Sequence, residues 1–550
     1  MSQIGFAQRF RLYETLGKRL VTTLIIISIL LISGLGYLYN TSIGVTERRL
    51  VGIIRVEGPI ISTSDADSIT ASINSAIFNS SVKAVVLRID SPGGYADLVE
   101  QIYLDVLELR KQKPVVASVV QALSGGYYVA VAADYIYAHP SSMVGNIGVI
   151  GVGPQTLIPS EFTMETGPNK VTGFSKLLFP FNLSHCLDSF ASAVEDGRGN
   201  RLKLSPTELR RGSIYMGSEA LSAGLADEIG SLQSALKRAA KEANITSYEV
   251  VYFSPIREVS TQTSTGSNQT GVEFKDITIG ALNRINPPPA IYYLYMPSNT
   301  LVQKAITQWS SKEGYGSSTT SWNASMGIVV VDLSHGNLVS SWELDIVAAE
   351  LAKKNLVLSF VDAWKDVDST LTNASALIVA VPTKPYTSDE CDRIGKFVAD
   401  GRIVLLFYDP AEEYQEIPVL MGPMNSLANR FGLSFAKGYL YNEEDHYGLY
   451  RNIYVRKFAN TSLTRKLNTI ILFTATHIRS NGKEAGWTSN DTYSSTSERN
   501  GSYAPLAVVE GNGTVAAFGD LTFLMEPYCY LEDNFQLILN TVSAIAEVKR

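Results

Sequence analysis

Cysteine and histidine are both scarce in this 550-residue chain, which has three of the first and five of the second. Cys186, Cys391 and Cys529 cannot close a disulfide framework, and their spacing matches no zinc-binding pattern. No metal and no cofactor is expected. Basic residues are also in short supply: 46 Lys and Arg face 53 Asp and Glu, a formal net charge of −7. That leaves no positive excess to neutralise phosphates and argues against a nucleic-acid partner. Charged residues amount to 18% and hydrophobic ones to 45%, so most of the chain has enough apolar surface to fold. Its length exceeds what one core ordinarily serves, and two folded domains are expected.

Leu20 to Tyr39 is an unbroken run without a charge, and the uncharged stretch continues to Thr46. About 20 apolar residues span the hydrocarbon core as a helix. The run is long for a cleaved signal peptide, and no clear small-x-small site follows it. A transmembrane anchor at 20–40 is therefore expected. Arg9, Arg11, Lys18 and Arg19 precede it against Glu14, which places residues 1–19 in the cytoplasm and the bulk of the chain outside. Ten Asn-x-Ser/Thr sequences, Asn79, Asn182 and Asn244 among them, follow the helix and agree with that orientation.

Beyond the anchor, Leu50–Ile60 and Ser81–Asp90 read as strands, and the second ends in Ser91-Pro92-Gly93-Gly94. Leu98, Ile102, Val106 and Leu109 then fall on one helical face, and Pro114–Val120 is a further strand. Strand, helix, strand in this order implies a crossover and a mostly parallel sheet. The next segment, Ser124 to Ala133, reads as a buried helix, followed by a short strand at Tyr135–Ala138. Ser205-Pro206-Thr207-Glu208 is a capping box, and Ser231 opens another helix. Residues 255–275 read as an exposed loop, and the segment AIYYLYM after Pro287-Pro288-Pro289 as the last strand of the first domain. A Ser/Gly-rich linker at 301–325 separates this domain, 45–300, from a second one, 326–550. There Ile328–Asp332, Leu356–Val361, Ala376–Val381 and Ile403–Tyr408 alternate with helical stretches near 342–353 and 388–400, the pattern of a doubly wound α/β domain.

Chemistry concentrates in the first domain. Ser124 lies just after a strand and at the start of an apolar helix, where backbone N–H groups and the positive helix end can receive a developing oxyanion. Gly93, Gly94 and Gly125 are the expected amide donors, since turns at the ends of neighbouring parallel strands emerge at one edge of the sheet. Each glycine motif alone reads as a tight turn; together they mark a site. A serine needs a base. His139, just after a strand, His185, read as lying in a loop, and Lys176 are the candidates. Lys176 is the only charge between Lys170 and Asp188 and is crowded by apolar residues, a setting that lowers an amine's pKa.

Residues 50 to about 250 resemble signal peptide peptidase A, peptidase family S49, through SPGG at 91–94, SGGYYVAVAAD at 124–134, MVGNIGVIG at 143–151 and MGSEALSAGLADEIGSL at 216–232. The resemblance implies a ClpP/crotonase-like domain, Ser124 as nucleophile and Lys176 as general base. It also implies membrane-derived hydrophobic peptides as substrates and a homo-oligomer. The family usually has Gly-Ser-Ile-Gly where this chain has Gly145-Asn146-Ile147-Gly148, so Asn146 is expected to orient the lysine through its amide oxygen. Residues 326–550 are similar to amidotransferase-like domains. Cys391, however, falls one turn inside a helix rather than on a strand-to-helix elbow, so this domain is expected to be non-catalytic. Asp332, His335 and Asp520 are expected near strand ends as caps or a binding cluster. Two other readings remain: a crotonase-like enzyme acting on acyl thioesters, and a non-enzymatic membrane scaffold.

Overall fold

The computed structural model describes residues 4–42, 48–154, 166–167, 169–253, 278–296, 327–410 and 421–548. The expected loop at 255–275 and the linker at 301–325 lie outside them. The chain begins with helix α1 (Ile4–Ser42), of which Glu14–Tyr37 is long and apolar enough to cross a membrane, with none of it buried against the rest of the protein.

The first domain runs through β1 (Leu50–Glu57), α2 (Thr63–Phe78), β2 (Val82–Ser91), β3 (Gly93–Tyr95), α3 (Ala96–Arg110), β4 (Val115–Leu123), α4 (Gly125–Ala130), β5 (Tyr135–Gly145) and β6 (Ile150–Val152). It continues with α5 (Phe179–Arg198), α6 (Pro206–Leu209), β7 (Ile214–Met216), α7 (Gly217–Ala223), β8 (Glu228–Ile229), α8 (Leu232–Glu242), β9 (Glu249–Phe253), α9 (Ile279–Ile285) and β10 (Ala290–Leu294). The main sheet has the order β7-β5-β4-β2-β1-β9, with β8 also paired to β5. Strands β9, β1, β2, β4 and β5 are parallel, and β7 runs antiparallel at the edge. Strands β2 and β4 are continuous apolar runs because both of their faces are covered. One face packs on α3 through Val99, Ile102, Val106 and Leu109; the other packs on α8 through Ala235, Leu236 and Ala239.

Three differences from the sequence reading have local causes. The strand expected at Tyr135–Ala138 continues to Gly145, because its second half pairs with the end of β4 and with β7. His185 lies in α5, not in a loop. The AIYYLYM segment does form a strand, but it joins a separate three-stranded sheet, β3-β10-β6.

The second domain opens with β11 (Gly327–Asp332), α10 (Asp345–Ala352), β12 (Leu356–Val361), α11 (Trp364–Leu371), β13 (Ala374–Ala380), α12 (Ser388–Ala399) and β14 (Ile403–Phe407). Its sheet has the parallel order β12-β11-β13-β14, extended by the parallel strand Thr514–Phe518 and three further antiparallel strands. The two domains touch through ion pairing of Arg211 with Glu443 (2.7 and 2.9 Å). Ser184 Oγ donates to the Gly448 carbonyl (2.7 Å), and Phe181 meets Tyr447 edge-on (centroids 5.1 Å apart).

Candidate active site

The carboxyl ends of β2, β4 and β5 lie side by side, with Ser91 opposite Ala122 and Leu123 opposite Gly145. The turns that follow them, 91–94, 124–126 and 145–146, therefore meet at one edge of the sheet, where ligands bind in open α/β sheets. Ser124 occupies the junction between β4 and α4 with φ 50° and ψ −119°, a conformation that a non-glycine residue rarely adopts. It is held there by its N–H donating to the Gly145 carbonyl (2.8 Å) and by its own carbonyl accepting from the N–H groups of Tyr127 (2.9 Å) and Tyr128 (3.0 Å). Backbone strain of this kind costs about 1–3 kcal/mol and persists where the surroundings over-determine it. Ser124 is 2% exposed.

The glycines beside it are required by close backbone packing. A Cβ on Gly94 would lie 1.8 Å from the Ile60 carbonyl oxygen, and one on Gly126 2.5 Å from that of Ser91. Gly93 has φ +94°, and its N–H is taken by Ser91 Oγ (3.1 Å), which itself donates to the Gly58 carbonyl (2.7 Å). Of the three amides expected to serve an oxyanion, that of Gly93 is thus turned back into its own loop. Gly94 lies opposite Tyr293 in the β3–β10 pair, and the Gly125 nitrogen closes on Gly93. Behind α4, Tyr127 donates to the Leu225 carbonyl (2.8 Å). Arg198 forms a two-pronged ion pair with Asp227 (2.7 and 3.0 Å), which also accepts from the Ile136 N–H (2.7 Å). The 216–232 motif therefore supports the helix that follows Ser124.

Lys176 lies in the turn leading to α5 with its side chain exposed, and partial desolvation by its surroundings lowers its amine below the ordinary lysine range. Its Nζ stands over the ring of Tyr528, 5.6 Å from the centroid. Among the described residues no hydrogen bond joins Lys176 to Ser124 or to Asn146. The Asn146 amide instead donates to the Gly212 carbonyl (2.8 Å), and its backbone N–H donates to Ser213 (2.7 Å). Asn146 has φ 54°, and asparagine tolerates that left-handed region better than most residues. The side chain so placed serves the β5–β7 corner.

In the second domain Asp332 and His335 do come together. His335 Nδ1 is 2.9 Å from Asp332 Oδ2, and its Nε2 is 3.4 Å from Glu390 Oε2. Ser334 and Tyr386 also donate to Asp332. Burial alone would lower the imidazole's pKa, but the two carboxylates outweigh it and raise it. Asp520 is elsewhere, with two strands between, at the end of Thr514–Phe518, where it accepts from Phe473 and Thr522 N–H groups (2.8 Å each). Cys391 lies inside α12 with its thiol donating to the Ser426 carbonyl (3.3 Å), and burial pushes that thiol's pKa up.

One residue of the site escaped the sequence reading. The carbonyl oxygen of Tyr293, in β10, would lie 2.0 Å from a Cβ on Gly93 and 2.8 Å from one on Gly125, while the Gly125 nitrogen would lie 2.5 Å from the Gly93 Cβ. A peptide carbonyl thus sits among these glycines. The aromatic run was legible as a strand, but nothing in it announced its neighbours.

Residues 108–156 match Peptidase family S49. The chain is 33% identical over 218 residues to Protease 4 of Haemophilus influenzae, covering 35% of each chain. It is 29% identical over 245 residues to the chloroplastic serine protease SPPA of Arabidopsis thaliana, covering 40% of this chain and 36% of that one. It therefore spans about a third of the length of these relatives. Among solved structures, the 1510-N membrane-bound stomatin-specific protease, a K138A mutant in complex with a substrate peptide, aligns at 18% identity and TM-score 0.29. That alignment covers 38% of this chain and 93% of that one.

Proposed function

We propose, for a chain that carries a peptidase family S49 segment at residues 108–156, that it is a membrane-anchored serine endopeptidase acting on extended hydrophobic peptides. The observation that carries this reading is the convergence of Ser124, strained at a strand–helix junction, with glycine amides that border a peptide carbonyl. In the reaction Ser124 Oγ attacks the scissile carbonyl while the neutral Lys176 amine takes its proton. The amides of Gly94 and Gly125 hold the oxyanion. Lys176 returns the proton to the leaving amine, and water then hydrolyses the acyl-serine ester, regenerating Ser124. The desolvation-lowered pKa of Lys176 supports its role as a base. The apolar α1 would anchor the enzyme with its first residues in the cytoplasm and the catalytic domain outside, and the enzyme would work as a homo-oligomer.

The test is labelling by a fluorophosphonate together with cleavage of a hydrophobic peptide. Wild type is expected to do both. Ser124→Ala should do neither, and Lys176→Ala should lose cleavage while remaining folded. A crotonase-like enzyme would keep its thioester activity in Ser124→Ala, and that outcome would sink the peptidase reading.

A further inference from the structure

Strand β10 stands outside the main sheet, between two short strands. On one side it runs antiparallel to β3, with Tyr293 opposite Gly94 and Leu294 opposite Gly93. On the other it runs antiparallel to β6, with Tyr292 opposite Ile150 and Ala290 opposite Val152. Without it, β3 and β6 would bound a gap one strand wide. Such a gap recognises an extended peptide by main-chain hydrogen bonds, with pockets for alternate side chains.

The register brings one peptide group to Ser124's neighbours. Tyr295 N–H donates to the Pro92 carbonyl (2.8 Å). Hydrogen-bonded pairs alternate in an antiparallel ladder, so Tyr293 and Gly94 form the next one, and the Gly94 N–H faces the Tyr293 carbonyl. The Gly125 nitrogen adjoins the same place. The Tyr293 side chain is fully buried in a pocket walled by Tyr128 and Phe190, with ring centroids 5.2 and 5.3 Å away. At the pocket's end its hydroxyl meets Glu100 Oε1 (2.8 Å) and the Cys186 carbonyl (3.1 Å). The turn that carries Lys176 leans on the residue before this strand: a Cβ on Gly173 would lie 2.9 Å from Pro289 Cγ.

We propose that β10 is an internal pseudosubstrate: it fills the peptide groove as a substrate strand would, with Tyr293 in the specificity pocket and its carbonyl between the Gly94 and Gly125 amides. This rests on the peptidase reading and adds two things to it. The groove selects peptides with tyrosine, or another aromatic residue, on the acyl side of the cleaved bond. The groove is also closed to them until β10 withdraws. A tethered strand competes at roughly millimolar effective concentration, so a free peptide sees only the fraction of molecules whose groove is empty.

The experiment uses the full chain carrying Ser124→Ala, which binds without turnover, and a fluorescein-labelled peptide AIYYLYM, the sequence of residues 290–296. Adding Tyr293→Ala should tighten binding by roughly tenfold or more, because it weakens the internal competitor. Replacing the peptide's second tyrosine by aspartate should abolish binding. Equal affinity with and without Tyr293→Ala would overturn the proposal, as would a wild-type chain that cuts itself between Tyr293 and Leu294. Should Tyr293→Ala fail to fold, hydrogen exchange decides. Saturating peptide should strip protection from the amides of 290–294, whereas unchanged protection marks β10 as fixed core and overturns the proposal. Fluorophosphonate labelling of the Ser124-containing Tyr293→Ala chain is read separately. If that chain stays unlabelled while peptide binding behaves as expected, the peptidase reading fails and the groove assignment stands.

Discussion

Lys176, from the turn before α5, holds its amine over the ring of Tyr528, which belongs to the second domain. The second domain thus borders the amine proposed above as the base and contributes to its desolvation. Desolvation disfavours the ammonium form, so the neutral amine becomes available below the ordinary lysine pKa of about 10.4. Peptide cleavage is therefore expected to rise with pH to a plateau, with a midpoint below that value. Tyr528→Ala opens the site to water and should move the midpoint upward. A pH–rate profile of kcat/KM on both chains checks this, and a midpoint unmoved in Tyr528→Ala would remove the second domain from the lysine's environment.

Gly94 is fixed by the Ile60 carbonyl oxygen, 1.8 Å from where a Cβ would stand, and a backbone oxygen cannot swing away. Gly94→Ala must shift β3 and with it one of the two amides proposed to hold the oxyanion. Loss of one such donor typically lowers kcat about 100- to 1,000-fold. We expect a fall of that order, with a modest drop in melting temperature from overpacking. Gly167→Ala, with nothing within 4 Å of its added methyl, is the matched control and should leave both unchanged.

Much of this arrangement could be read from residue order. The apolar run ending in Ser91-Pro92-Gly93-Gly94 and the break at Ser124 gave two strand ends, and parallel pairing then forced them to one edge. The capping box at Ser205 formed as expected, with Glu208 N–H donating to Ser205 Oγ at 3.3 Å. What could not be read depends on long-range pairing. AIYYLYM has the composition of a strand wherever it goes, and only the gap between β3 and β6 decides that it leaves the main sheet. Helix α5 was hidden by Pro180 at its start and by His185 and Asp188 among its apolar positions; Phe190, Ala191 and Val194 face the core only once it is packed. Asn146 looked like a substitute for a serine that holds the lysine. The structure puts it in a left-handed turn whose side chain bonds to Gly212.

The support behind α4 makes a further expectation quantitative. The side chains of Arg198 and Asp227 are 0% and 5% exposed, and Arg198 Nε also donates to the Gly224 carbonyl (2.8 Å). Arg201, 42% exposed, also reaches Asp227 (3.0 Å), but Arg198 has no other acidic partner among the described residues, so removing Asp227 leaves the Arg198 charge buried and unpaired, which costs about 3–5 kcal/mol. Asp227→Ala should therefore lower the urea midpoint sharply. The double change Arg198→Met with Asp227→Leu should recover much of the loss, because the second charge goes with the first. A single variant within 1 kcal/mol of wild type, on the order of an exposed pair's worth, would refute a tightly buried bridge.

Acid sensitivity should come in part from His477. Burial, and after it the charge of Arg479, pushes its pKa down to about 4. Arg479 Nε donates to His477 Nε2 (3.3 Å), a bond that requires that nitrogen to be unprotonated. The unfolded chain takes up this proton near pH 6.5 and the folded chain does not. Its contribution to stability is thus fully present above about pH 6.5 and is lost progressively as the pH falls toward 4. His477→Gln keeps a hydrogen-bonding group there and removes the titration. Thermal melts of wild type and His477→Gln at pH 7.5 and pH 4.5 should show the smaller acid-induced drop in the variant. Equal drops in the two chains would mean that His477 is as free to protonate when folded as when unfolded.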